Sequence, residues 1–252
     1  MGHGRQGGQR AASIASFDLA PGQRIGGTYR VEEFLGGGLE GEVYRVTELQ
    51  TRVRRAAKLF YPQQNQGNRA ARVYAQKLDR LRHCPIVIQY HHAETLAVGR
   101  TPVTCLVSEY VDGILLSDFV AAHPGRRLPP FKALHLLYVL ARGLEQIHAC
   151  QEYHGDLHAG NILVRPRGIF FEVKLVDFHH LGQPSAAHRR DDIVDLAHLL
   201  YDMTGGRRHY ARQPHAVKAI CRGLRRDLIK QAFPTAGHLR RHLESFPELS
   251  LV

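Results

Sequence analysis

The chain has 252 residues, 44% apolar and 23% charged, with a formal net charge of +11. That length buries a core in one large unit or two smaller ones, and the composition is that of an ordinary globular protein, not of a disordered or collagen-like chain. No stretch of about eighteen apolar residues occurs, so no transmembrane helix and no membrane partner are expected.

The opening MGHGRQGGQRAASIAS lacks the apolar middle of a secretory signal, and Gln6 breaks the myristoylation pattern, so residues 1–26 read as a flexible basic tail. From Tyr29 the pattern is strand-like. Residues 29–35, 42–47 and 53–60 are short runs of β-branched and aromatic residues divided by turn chemistry. Ala71, Tyr74, Leu78 and Leu81 recur at helical spacing and predict a helix over 68–82. Apolar runs at 86–90 and 103–110 complete an expected five-stranded antiparallel sheet with one helix, an N-terminal unit spanning 27–110.

After Asp112-Gly113 the pattern turns helical, and residues 111–252 read as a second, mostly helical unit. Residues 130–149 place Leu134, Leu137, Ala141, Leu144 and Ile147 on one face behind a proline start. FFEVKLVDF (170–178) follows, then expected helices near 191–203, 213–225 and 235–244, the first ended by Gly205-Gly206. The fold class is therefore α+β in two units.

Cys84, Cys105, Cys150 and Cys221 form no Cys-x-x-Cys pair, which argues against a structural zinc or a disulfide framework and suits a reducing, cytoplasmic compartment. The basic residues are scattered and carry no aromatic platform, so nucleic acid is not the expected partner. A surface that favours acidic partners is. The seventeen histidines show no His-Glu-x-x-His spacing, and His91-His92 and His179-His180 read as surface or loop residues.

Four short motifs carry chemistry. LGGGLEGEVY (35–44) fits G-x-G-x-x-G-x-V, where glycines let main-chain N–H groups approach a phosphate. A strand follows instead of a helix, which disfavours a dinucleotide fold. In AAKLF (56–60), Lys58 lies in an apolar strand, where an ammonium is costly without an anionic partner; it comes fifteen residues after Val43, which can set it beneath the glycine loop. HGDLHAGNILV (154–164) sets His154, Asp156, His158 and Asn161 ahead of an apolar run. LVDFHHLG (175–182) ends a strand-like run on Asp177, and Asp177 and Asn161 offer oxygen ligands suited to Mg2+.

In this order and spacing the motifs resemble the eukaryotic-like (Hanks-type) protein kinase superfamily over about residues 27–245. The resemblance implies a two-lobed fold and an ATP- and Mg2+-dependent phosphotransferase acting on a protein hydroxyl. Gly36, Gly37, Gly38, Gly41, Val43, Ala56 and Lys58, with Glu109 and Val111 of the hinge-like SEYVDG (108–113) and Leu163, would hold the nucleotide. Asn161 and Asp177 would hold the metal, Asp156 would take the acceptor proton, and His158 stands where a lysine usually assists the transferred group. Asp192 looks like the acid that braces the catalytic loop.

Besides His158, the sequence departs from the family pattern in four places. Gly155 replaces the arginine that usually meets an activation-loop phosphate. The helix acid expected at position 74 or 75 is Tyr74 or Ala75, and the nearest acid in that helix is Asp79. Fourteen residues separate Asp177 from Asp192, too few for the usual Ala-Pro-Glu segment, and Phe233 replaces the arginine that would pair with its Glu. Three readings follow: a minimal serine/threonine protein kinase; a small-molecule kinase like the aminoglycoside and choline enzymes, whose loops HGDLHAGN also resembles; and a nucleotide-binding pseudokinase scaffold.

Overall fold

The computed structural model describes residues 14–168, 170–179 and 182–246. The N-terminal stretch 1–13 and His180, which entered the sequence expectations, lie outside them. The chain divides into two compact units, residues up to Ala75 with Tyr90–Tyr110, and Gln76–Gln89 with residues from Val111 on.

The first unit is a six-stranded antiparallel sheet, not five-stranded as expected. Its strands are β1 (Arg24–Ile25), β2 (Tyr29–Gly37), β3 (Gly41–Glu48), β4 (Arg54–Phe60), β5 (Tyr90–Val98) and β6 (Thr101–Glu109), in the order β1-β2-β3-β4-β6-β5. Alternation sends Tyr29, Val31, Tyr44, Val46, Ala57, Leu59, Val103, Cys105 and Val107 to one buried face. Residues 14–25 do not behave as a tail, because Leu19 and Ile25 are buried in that same cluster and Phe17 packs against it.

The N-terminal segment is held by a buried carboxylate. Glu42 accepts from the hydroxyls of Tyr44 and Tyr61, the latter at 2.8 Å, and from the Phe17 N–H at 3.1 Å. Burial works against its charge, but these donors outweigh it and hold the carboxyl below the usual range.

The expected strand at 86–90 does not form as one element: residues up to 89 belong to the second unit, where Val87 makes a single bridge to Leu175. Ile86, Val87 and Ile88 are apolar because they fill its core: Ile86 packs so closely on Gly143 that a Cβ there would lie 2.3 Å from its Cδ1. The strand proper, β5, starts at Tyr90, where HHAET hides the pattern because its outer residues meet solvent.

Helix α1 (Arg69–Arg80) runs through the boundary between the units. The rest of the second unit comprises β7 (Ile114–Leu115), α2 (Leu116–Ala121), α3 (Pro130–Ala149), β8 (Ile162–Arg167), β9 (Phe170–Leu175), α4 (Ala186–Met203), α5 (Arg207–Tyr210), α6 (His215–Cys221), α7 (Arg226–Ala232) and α8 (Ala236–Glu244). Strands β7-β8-β9 form a small antiparallel sheet. Helix α4 starts five residues before its expected position, since Ser185 caps it by accepting the His188 N–H at 3.2 Å. The expected helix over 213–225 ends at Cys221, where Arg222 and Gly223 turn left-handed; α2, α5 and α7 are additional.

Replacing Glu42 by Ala strands two buried hydroxyls and a main-chain N–H. We expect a loss of about 2 kcal/mol in urea unfolding, and an unchanged midpoint would refute this role.

Candidate active site

The first unit contributes a glycine hairpin and a buried lysine. Strand register sets Val43 opposite Lys58 and Lys58 opposite Leu106, on the sheet face away from the cluster that holds Ala57 and Leu59. Ala56, two residues before Lys58, pairs with Ser108, and Glu109 pairs with Arg55. At Gly41 a Cβ would stand 2.0 Å from the Leu59 carbonyl, so strand contact alone demands glycine. At Gly36 and Gly38 a Cβ would meet nothing within 4 Å, and the main chain there is open to a ligand. Gly37 lies between them at the end of β2, and the Gly38 N–H donates to the Gly41 carbonyl at 2.9 Å to close the hairpin.

Lys58 is 9% exposed. Its Nζ lies 3.1 Å from Glu40 Oε2, at the hairpin tip, and 4.7 Å above the Tyr74 ring. Helix position 74 thus presents an aromatic face, worth up to about 2 kcal/mol to a desolvated cation, and the acid comes from the loop. Asp79, the nearest helix acid, pairs with Arg82 instead, at 3.4 Å. Glu40 lies within the glycine motif itself. What the sequence lacked was the hairpin register that turns it back onto Lys58.

The second unit carries the loop and the residues that end β9. Asp192 of α4 is fully buried, and its carboxylate accepts from the main-chain N–H groups of His154 at 2.8 Å and Gly155 at 2.9 Å, and lies 2.9 Å from His148 Nε2. His154 is buried too: its Nε2–H donates to the Val176 carbonyl at 3.0 Å while Nδ1 accepts the Asp156 N–H at 3.3 Å. Burial, partly opposed by Asp192, pushes its pKa down to about 4. Gly155 has φ +86°, and a Cβ there would lie 2.8 Å from the Tyr153 ring, so no arginine fits this turn.

This frame presents the Asp156 carboxylate between two groups. Asn161 Nδ2 donates to the Asp156 carbonyl at 2.9 Å and to Oδ2 at 3.2 Å, and His158 Nε2 stands 3.6 Å from Oδ2. Because His158 Nδ1 accepts the Gly160 N–H, its Nε2 carries the proton and faces the acid. The Val176 N–H donates to the Asn161 carbonyl at 3.0 Å, tying the loop to the strand end beside Asp177, whose φ is +58°. Leu163 sits between Leu115 and Lys174 in the small sheet, and Val111 packs near Gly113. Beside His158 a cavity of about 240 Å³ is walled by Ser117, Leu157, Asp195 and Asp202. Burial and the charge of Asp192 push the Asp195 carboxyl up to about 6.

Asn161 spends its amide nitrogen on Asp156 and keeps its oxygen as an acceptor, and Asp177 follows Val176, whose N–H meets the Asn161 main-chain carbonyl. Among the described residues no cluster of three or more His, Cys, Asp or Glu side chains is built to hold a metal by itself. Two protein oxygens fit Mg2+, which completes its shell from phosphate and water.

The family profile described as "Protein kinase domain" matches residues 29–210. The serine/threonine-protein kinase PrkC of Bacillus subtilis is 26% identical over 214 residues, 74% of this chain and 32% of that protein. The serine/threonine-protein kinase pkn2 of Myxococcus xanthus is 31% identical over 67% of this chain, which spans 20% of it. The chain therefore covers a third or less of these curated relatives. Among solved structures, a double mutant of the Mycobacterium tuberculosis PknI kinase domain aligns with a TM-score of 0.63 at 21% identity, covering 90% of this chain and 96% of that one.

The burial of His154 sets an acid limit. Above its unfolded pKa of about 6.5 the ring is neutral in both states. As pH falls towards 4 only the unfolded chain gains this proton, so stability falls across that window by on the order of 3 kcal/mol. NMR of the imidazole at pH 5 should find it neutral, and titration near 6.5 would sink this assignment.

Proposed function

Because the chain belongs to the protein kinase family, we propose that it is an ATP- and Mg2+-dependent phosphotransferase, a minimal serine/threonine protein kinase acting on a protein hydroxyl. The observation that carries this reading is the Asp156 carboxylate, held between the Asn161 amide and the His158 imidazole on a loop braced by Asp192.

Asp156 orients the acceptor hydroxyl and takes its proton as the oxygen forms a bond to the γ-phosphorus and the bond to the β-phosphate oxygen breaks. The phosphorus atom changes partners and the released product is ADP. His158, an imidazole in place of the usual lysine, donates to the transferred group. Lys58 and the open main chain at Gly36, Gly37, Gly38 and Gly41 hold the phosphates, while Val43, Ala56, Glu109, Val111 and Leu163 shape the nucleotide's surroundings. Asn161 and Asp177 are the metal ligands; when bound, the metal neutralises charge on the phosphates.

An acid for Lys58 supports activity over a scaffold role, since Glu40 answers the missing helix carboxylate. A protein acceptor docked through the positive surface is supported by the net charge of +11, and a cytoplasmic setting by the four free thiols. No helix among the described residues is long and apolar enough to cross a membrane.

Intact-mass spectrometry with ATP and Mg2+, alongside ADP release, tests the reading. We expect stepwise phosphoryl additions in wild type, and Asp156→Asn to bind nucleotide but lose transfer by about 10²–10⁴-fold. Equal rates in the two would refute the role of Asp156. ADP release without mass gain points to an external acceptor, and nucleotide binding with neither signal favours a pseudokinase. Asp177→Ala should abolish the Mg2+-dependent part of ATP binding, which calorimetry reads directly; retention of that part would remove Asp177 from the metal site.

A further inference from the structure

Lys77 is a second buried lysine, and the proposed chemistry makes no use of it. It lies in the half of α1 that belongs to the second unit and is 2% exposed. Its Nζ donates to the His179 carbonyl at 2.9 Å, sits 3.9 Å above the Tyr153 ring and 5.7 Å from the centre of Phe178. An ammonium on two aromatic faces, bonded to a main-chain oxygen, has little freedom to move. Tyr153 is fixed in turn, its hydroxyl donating to the Gly182 carbonyl at 3.1 Å.

The contacts bracket the segment that follows Asp177. Phe178 is the next residue, its ring 4.5 Å from that of His154 and tilted to it by 37°, and His179 also donates its N–H to the His154 carbonyl at 3.0 Å. Asp177 holds a left-handed φ of +58°, a conformation that a non-glycine residue keeps only when its surroundings enforce it. His154 anchors the segment through main-chain and ring contacts on one side, and Lys77 ties down the carbonyl two residues on from Asp177.

We propose that Lys77 is a positioning residue for Asp177, fixing the main chain at His179 and thereby the direction in which the Asp177 carboxylate is presented to a metal. This rests on the reading of Asp177 as a metal ligand. The charge survives at neutral pH: burial pushes the Lys77 pKa down to about 8, opposed by the carboxylates of Glu152 and Asp192, with Arg80 acting in the same direction as burial. Neutral His154 adds no competing charge. Arg80 is itself engaged by Glu152 at 2.6 Å, so that acid is shared.

The test is calorimetric binding of ATP to the full chain at varied Mg2+, for wild type, Lys77→Met, Lys77→Arg and Asp177→Asn, with thermal melts of each. Methionine, unbranched and one atom shorter than lysine, fills most of the same space and removes a desolvated charge, so Lys77→Met should melt no lower than wild type. Its half-saturating Mg2+ should nevertheless rise about tenfold, as when an outer partner of a ligand is removed, and Lys77→Arg should recover part of that loss. If Lys77→Met leaves the Mg2+ requirement unchanged while Asp177→Asn abolishes it, the positioning role is overturned and the reading of Asp177 stands. If Asp177→Asn also leaves it unchanged, the reading falls and the proposal with it. A lower melting point in Lys77→Met with no change in Mg2+ requirement would assign Lys77 to stability alone.

Discussion

One carboxylate organises the loop that carries Asp156. Asp192 is fully buried in α4, and a buried charge is tolerated only when hydrogen bonds replace its lost water. Two successive main-chain N–H groups, from His154 and Gly155, and the His148 imidazole supply them. The same bonds fix the loop at the residue before Asp156 and the one before that. The loop's position is thereby set by a rigid helix and not by its own flexible chain. Removing that acid would leave several buried donors without an acceptor at once.

Four other buried charges, two in each unit, follow the same logic, each answered by a specific counterpart. Glu42 has tyrosine hydroxyls, Glu152 has Arg80, Lys58 has Glu40 and an aromatic face, and Lys77 has two rings and a carbonyl. Positive φ angles occur along the whole chain, and two of them fall in and beside this loop. Gly155 and Asp177 both lie at positive φ, and the non-glycine one costs roughly 1–3 kcal/mol that surrounding contacts must offset.

Much of this was legible in the sequence where local chemistry and long-range packing agree. Helix α3 was visible because a proline start and an unbroken apolar stripe coincide, and the motif order located Lys58, Asp156, Asn161 and Asp177 in the chain. Legibility failed where apolar residues serve a core without forming a strand, as at Ile86–Ile88, and where a strand shows water a polar face, as in β5. It failed again for α2 and α7, too short to show a period. Glu40 and Lys77 were invisible as partners for a different reason. Their roles come from register and from contacts between residues 18 and 102 positions apart, which no local window contains.

The Glu40–Lys58 pair has a thermodynamic consequence. Glu40 is 45% exposed while its lysine is nearly enclosed, so the loop holds its own anion against Lys58. Any anion that reaches Lys58 arrives by exchange, not by addition. The affinity measured for it is the difference between two ion pairs, and because the outgoing partner is half in water, that difference shifts with ionic strength.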